Sequence, residues 1–224
     1  MQTVERWATG ADLTEGVAER LMARLVELQS QTDGPVHLCL TGGRIANRIY
    51  DAFADLVEGS DLDPTRIGLW WGDERFVPTE DSDRNAGHTL AILARTLPLT
   101  SARTHSMSAA DGIADADASA LTYAKELGDT TFDICLLGLG EDGHVASIFP
   151  GHPSFAETTH TVIGVNDSPK PPASRISLTV PTLSRSREVW FLVAGAEKAD
   201  AVGRASRGDP ELPGGVVRGR ERTL

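Results

Sequence analysis

Two groups of residues in this chain have the types and spacing to do acid–base chemistry on an anionic ligand. The first is Gly138-Leu-Gly-Glu-Asp-Gly-His144, where a carboxylate, Asp142, and an imidazole, His144, stand two positions apart among three glycines. An imidazole with an ordinary pKa of roughly 6.5 can take or give a proton near neutrality. Gly138, Gly140 and Gly143 permit a tight turn and let backbone approach a ligand closely. The second group is cationic. Gly42, Gly43 and Arg44 form a paired-glycine turn whose free N–H groups could face an anion at a helix start. Asp73, Glu74 and Arg75 follow Trp70-Trp71 directly, and Asn85 closes the polar stretch behind them. Lys170, Arg175 and Lys198 lie further along. Each has a plainer reading as a turn residue, a helix cap or a surface charge.

These residues need a scaffold that brings strand ends together. Apolar runs at 36–40, 67–71, 134–137, 161–165, 176–180 and 189–193 read as strands, the first three continuous enough to be covered on both faces. Leu13, Val17, Leu21, Leu25 and Leu28 keep helical spacing, predicting a helix over 12–29. Ile45, Ile49, Phe53 and Leu56 predict a second helix, and further helices are expected near 87–97, 109–127 and 197–206. Residues 72–85 read as a long polar loop, and the Pro/Gly-rich tail from Gly208 as loosely held. Strands alternating with helices predict an α/β fold: three αβα layers around a mostly parallel, Rossmann-like sheet. Ligands in such sheets bind beyond the carboxyl ends of the strands, where both groups fall.

Gly138, Gly140 and Gly143 also spell the dinucleotide pattern, which requires a helix to begin at the third glycine. Pro150, Gly151 and Pro153 stop any such helix within about two turns, which disfavours a nucleotide cofactor. The net charge of −11 argues against nucleic acid or an anionic membrane as partner. It leaves room for a small anion, because screening over about 8 Å lets a few local cations dominate a pocket. No apolar run approaches the roughly 20 residues that span a bilayer. Residues 1–7 lack the basic and apolar regions of a secretory signal, so a cytoplasmic location is expected. Cys39 and Cys135 sit in apolar runs as small buried hydrophobes and offer no metal-ligand spacing.

Taken together, Trp71-Gly-Asp-Glu-Arg75, Ser82 and Asn85, Gly138-x-Gly-x-Asp-Gly-His-x-Ala-Ser-x-Phe-Pro150, Arg175-Ile-Ser-Leu-Thr179 and Gly195-x-x-Lys198 resemble the 6-phosphogluconolactonases. These belong to the glucosamine-6-phosphate deaminase/6-phosphogluconolactonase superfamily. The resemblance runs from about Val36 to Lys198 and implies one sugar-phosphate deaminase/isomerase-like α/β domain over 1–224. It implies hydrolysis of 6-phospho-D-glucono-1,5-lactone to 6-phospho-D-gluconate in the oxidative pentose phosphate pathway, with no metal and no cofactor. The implied partner is the phosphosugar lactone alone, and the expected state is a monomer or small homo-oligomer.

In that reading His144 is the general base for water and Asp142 orients it. The phosphate falls to Arg44, Arg75, Lys170, Arg175 and Lys198. Gly42, Gly43, Asp73, Glu74, Asn85, Gly140 and Gly143 complete the substrate contacts. The chain departs from the family at Arg44-Ile45-Ala46, where Ser-Thr-Pro is common, and over 216–224, which replaces the usual last strand. Two rivals share the fold. A deaminase or isomerase would carry Asn-Glu-Pro where this chain has Ile148-Phe149-Pro150. A non-enzymatic sugar-phosphate effector domain would need a DNA-binding module, for which the first 35 residues hold one amphipathic helix and no basic patch.

Overall fold

The structure is a computed structural model and describes residues 2–224. Helix α1 (Gly10–Ser30) is started by a reciprocal cap in which Thr9 and Asp12 satisfy each other's backbone N–H groups. β1 (Val36–Leu40) leads into α2 (Arg44–Val57), and β2 (Ile67–Trp71) runs on almost without pause into β3 (Asp73–Arg75). Then come α3 (Asn85–Leu93), β4 (Thr104–His105), α4 (Ala116–Leu127) and β5 (Ile134–Leu137). The short α5 (Pro153–Ala156) precedes β6 (Val162–Val165) and β7 (Arg175–Leu178). α6 (Val180–Ser184), β8 (Glu188–Phe191), α7 (Ala199–Ser206), α8 (Pro213–Val216) and β9 (Arg222–Thr223) complete the chain.

Six strands form one sheet in the order β4-β2-β1-β5-β8-β9, every neighbour pair parallel. The strands alternate faces strictly. Leu38, Leu40, Leu69, Trp71, Ile134 and Leu136 pack under α1, α2 and α3. Cys39, Trp70, Cys135, Leu137 and Val189 pack on the opposite side under α4 and α7. The four inner strands β2, β1, β5 and β8 therefore carry apolar side chains to both faces, and the expected three αβα layers are present. Chain order reverses between β1 and β5, whose crossovers leave in opposite directions. The crevice beyond their carboxyl ends is the switch point where this class of sheet binds ligands.

Four expectations change. The polar loop over 72–85 contains β3, and the strand-like runs at 161–165 and 176–180 leave the main sheet. They supply β6 and β7, which join β3 in an antiparallel sheet ordered β3-β7-β6. That small sheet sets Arg75 opposite Arg175 and Asp73 opposite Ser177, giving the charged stretch after β2 a rigid register. The Ala-rich helix begins at Ala116 rather than near 109, because the Asp115 side chain caps it by accepting the Ala118 N–H.

The tail is fastened rather than loose. Leu212 and Val217 are buried, and β9 adds a sixth strand beside β8 although the sequence suggested none. Arg218 ties the tail down further by donating to the carbonyls of Ala205 and Gly214.

Candidate active site

A cavity of about 580 Å³ opens at the switch point. Its walls come from the turns after β1 and β5, from β3 and β7, from the start of α3, and from the segment joining β8 to α7.

The turn after β5 is built to hold one side chain. Gly140 N–H donates to the His144 carbonyl at 2.9 Å, and Gly143 N–H to the Gly140 carbonyl at 3.0 Å. Gly143 has φ +84°, a backbone that favours glycine. Gly140 is required for a different reason: a Cβ there would lie 1.9 Å from His144 Nδ1 and 2.3 Å from Asp142 Oδ1. The imidazole rests on the spot a side chain would occupy. His144 Nδ1 lies 2.5 Å from Asp142 Oδ1, and its ring packs against Phe149 with centroids 4.8 Å apart. A carboxylate accepts only, so Nδ1 carries the proton and Nε2 keeps a lone pair.

Burial pushes the His144 pKa down, the Asp142 carboxylate pulls it back, and the Lys170 charge adds to the fall. The net position is below that of an ordinary histidine. Burial acts the other way on Asp142, but the His144 hydrogen bond and the Lys170 charge outweigh it and hold the carboxyl below the usual range. The imidazole is thus neutral at pH 7, and with 20% of its side chain exposed it can meet water.

The opposite wall is cationic. Arg44, Arg48, Arg75, Arg175 and Lys198 face the cavity against two carboxylates, Asp73 and Glu197. Their freedom differs. Arg175 is buried and donates from Nε to Pro172, from Nη2 to Lys170 and Pro171, and from Nη1 to Ser147 Oγ at 3.4 Å. Four of its five N–H groups are thereby engaged, and its guanidinium lies over the Phe149 ring. Arg75 Nη1 donates to the Asp83 carbonyl, and Lys198 Nζ to the Leu139 carbonyl. Arg44 and Arg48, on the first turns of α2, make no side-chain hydrogen bond or ion pair with the described residues. The N–H groups of Gly42 and Gly43 likewise meet no protein acceptor among the described residues.

Asp73, Asn85, Gly42 and Ser147 form a strut across the site. Ser147 Oγ donates to Asp73 Oδ2 at 2.7 Å, and Asn85 Nδ2 to the Asp73 carbonyl at 3.1 Å. A Cβ on Gly42 would lie 1.8 Å from Asn85 Oδ1, so the asparagine fills the side-chain space of that glycine.

Most of the sequence-derived residues therefore converge: Gly42, Gly43, Arg44, Asp73, Arg75, Asn85, Gly140, His144, Arg175 and Lys198 line one cavity. Three do not. Glu74 is completely buried and accepts the N–H groups of Arg75, Asn85 and Ala86, each at 2.8 Å. It caps α3 instead of touching a ligand, and burial raises its pKa. Gly143 shapes the turn behind the wall. Lys170 stands on the Nδ1 side of the imidazole, 3.3 Å from His144 and 3.5 Å from Asp142.

Sequence reasoning missed Arg48, Ser147, Ala146 and Glu197. Arg48 was findable, since position i+4 from Arg44 shares its helix face. Ala146 was not: its φ of +48° in the cavity wall leaves no trace in residue type. Among the described residues, no three His, Cys, Asp or Glu side chains gather as a metal-ligand set. No helix of the described residues is long and apolar enough to cross a membrane.

The chain is similar to known proteins along nearly its whole length. The family model described as "Glucosamine-6-phosphate isomerases/6-phosphogluconolactonase" matches residues 8–224. A 6-phosphogluconolactonase of Streptomyces coelicolor is 44% identical over 226 residues, 95% of this chain and 86% of the relative. One of Mycobacterium tuberculosis is 39% identical over 229 residues, 96% and 91% of the two chains. Among solved structures, the 6-phosphogluconolactonase of Thermotoga maritima superposes with a TM-score of 0.87 at 26% identity, covering 100% of this chain and 97% of its own. That of Trypanosoma brucei superposes at 0.81 with 25% identity, covering 100% and 95%.

Proposed function

The chain belongs to the glucosamine-6-phosphate isomerase/6-phosphogluconolactonase family, and from that premise we propose that it opens 6-phospho-D-glucono-1,5-lactone to 6-phospho-D-gluconate. The observation that carries this reading is the His144–Asp142 contact of 2.5 Å on the wall of a cation-lined cavity. With Nδ1 committed to Asp142, Nε2 takes a proton from water as the oxygen attacks the lactone carbonyl. The resulting imidazolium, stabilised by Asp142, returns that proton to the ring oxygen as the ester C–O bond breaks. General base catalysis of this kind is worth roughly 10²–10⁴-fold.

The phosphate is a remote handle whose binding energy holds the ring in place. Arg44, Arg48, Arg75 and Lys198 are the cations with N–H groups still to give, and the free N–H groups of Gly42 and Gly43 add backbone donors. Lys170 acts on the imidazole and its carboxylate rather than on the phosphate. The isomerase reading is disfavoured because Ile148 and Phe149 are buried apolar side chains that supply no second acid–base group. On this reading the reaction belongs to the oxidative pentose phosphate pathway, in the cytoplasm, and the chain acts as one domain without metal.

Steady-state kinetics on the phosphorylated and unphosphorylated lactones, with a metal chelator present and spontaneous hydrolysis subtracted, test the proposal. A site with unpaired cations rejects a ligand lacking its anion, so kcat/KM should favour the phosphorylated lactone by several orders of magnitude. Comparable values for the two lactones, or no turnover of either, would sink it.

A further inference from the structure

A second cavity, of about 480 Å³, lies beside the catalytic one and, apart from the shared Lys198, takes no part in the chemistry above. Its inner walls are apolar: Leu13 and Val17 of α1, Trp190 and Leu192 at the end of β8, and Val202 of α7. Its outer wall is the segment over residues 2–9, none of which is buried. That segment is fastened at its ends and otherwise lies over the surface. Thr3 N–H donates to the Thr223 carbonyl at 2.9 Å, Gln2 Nε2 to the Ser206 carbonyl at 3.0 Å, and Thr9 is tied into the α1 cap. Between these ties the Trp7 indole covers Gly16, where a Cβ would lie 2.2 Å from the ring. Val4 and Trp7 remain 48% and 39% exposed, two of the three large apolar side chains so exposed among the described residues.

The charge on this cavity runs against that of the chain. Arg6, Arg20, Lys198 and Arg218 line it with one acidic side chain, Glu5, in a protein of net charge −11. Glu5 is paired with Arg20. The other three cations meet no carboxylate among the described residues. Arg218 is the telling one. It is half-buried and donates to the carbonyls of Gly214, Val217 and Ala205, at 3.0, 2.7 and 2.8 Å. Burial lowers its pKa with no acid to offset the loss. A cation drawn out of water beside apolar walls is a desolvated charge in want of a counter-ion.

We propose that this cavity binds an amphipathic organic anion. Its apolar body would lie between Trp190, Leu13 and Val202, and its carboxylate, sulfonate or phosphate head against Arg218 and Arg6. The volume falls within the range of roughly 300–1,000 Å³ usual for small-molecule sites, and apolar walls with a few placed charges are their common composition.

The test titrates the full chain with 8-anilinonaphthalene-1-sulfonate, followed by fluorescence and calorimetry, with decanoate as a competitor that shares only the chemistry of apolar body and anionic head. One probe per chain is expected, displaced by decanoate. Arg6→Glu removes a partnerless surface charge and should weaken the probe at least fivefold. Val202→Phe fills the cavity and should weaken it at least tenfold, with thermal unfolding used to confirm that the variant folds. If Val202→Phe fails to fold, Arg6→Glu decides alone.

The two cavities share the wall from Leu192 to Gly195 and Lys198, so 6-phosphogluconate serves as the control. It should leave the probe stoichiometry unchanged. Absence of a stoichiometric site, wild-type affinity in the folded variants, or full displacement by 6-phosphogluconate would each overturn the proposal.

Discussion

Two glycine turns face each other across the switch point, and they use glycine for opposite ends. In the turn after β5, the N–H groups of Gly140 and Gly143 are engaged inside the turn, and the absent side chain of Gly140 makes room for the His144 ring. In the turn after β1, the N–H groups of Gly42 and Gly43 are left open, and Gly43 has nothing within 4 Å of the place its Cβ would take. Its φ of +107° is what demands glycine there. One turn is a rigid mount for a side chain, and the other offers its own backbone. A glycine count alone does not separate these uses; the hydrogen bonds do.

The largest test of the contrast removes what the first turn mounts. His144→Ala should lower kcat by about 10²–10⁴-fold with little change in affinity for 6-phosphogluconate. A near-normal kcat would reduce the histidine to a turn residue. Gly140→Ala should come close behind, because its methyl must displace the imidazole or the Asp142 carboxylate. A shift of about 1 Å at a reacting group can cost roughly 10²-fold. Single-turnover rates of Gly140→Ala near wild type would mean that the turn yields easily and is no mount at all.

Substitutions in the second turn should act on binding. Gly43→Ala meets no clash, so its cost is the backbone one of forcing an L-residue into glycine-only territory, of order 1–3 kcal/mol. If that strain is relieved by moving the open N–H groups, KM should rise about tenfold while kcat holds. Gly42→Ala pushes on Asn85 and so loosens the strut to Asp73, which should give a similar rise in KM. A fall in kcat with unchanged KM in either variant would erase the distinction between the turns.

The sequence disclosed the strand-end turns because apolar runs and glycine spacing are local features. β1, β2 and β5 fall where 36–40, 67–71 and 134–137 were expected. What stayed hidden depends on partners far along the chain. The strand β3 is made by pairing with β7, about a hundred residues away, and nothing in Asp73-Glu-Arg75 itself favours extended backbone. Glu74 looked like a ligand contact because its neighbours are; the period of two in a strand turns it inward to cap α3. Arg175 was legible as a cation at the site but not as one whose donors are already engaged, which depends on the carbonyls at 170–172 curling around it.

The smallest expected effect concerns the proton on His144 in the enzyme without substrate. Burial lowers its pKa and the Asp142 carboxylate opposes that fall, with burial prevailing. An NMR titration of the His144 ring, assigned by its loss in His144→Gln, should therefore give a midpoint below the ordinary value of about 6.5. Asp142→Asn removes the opposing carboxylate, so the midpoint should fall further, although the structural change is one atom.

The sign carries over to stability. Below about pH 6.5 the unfolded chain takes up a proton that the folded imidazole resists, so this residue's contribution is intact above that pH. It is lost as the pH drops through the lower folded value. His37, half-buried on β1 and also lowered, adds a loss in the same direction. His144→Gln should consequently lose less stability between pH 7 and pH 5 than the parent chain, measured by urea unfolding at each pH. A His144 midpoint above 6.5 would mean that Asp142 outweighs burial. Were the midpoint above 7, the imidazole would be largely protonated at neutrality, and the mount would hold an acid where the proposed mechanism calls for a base.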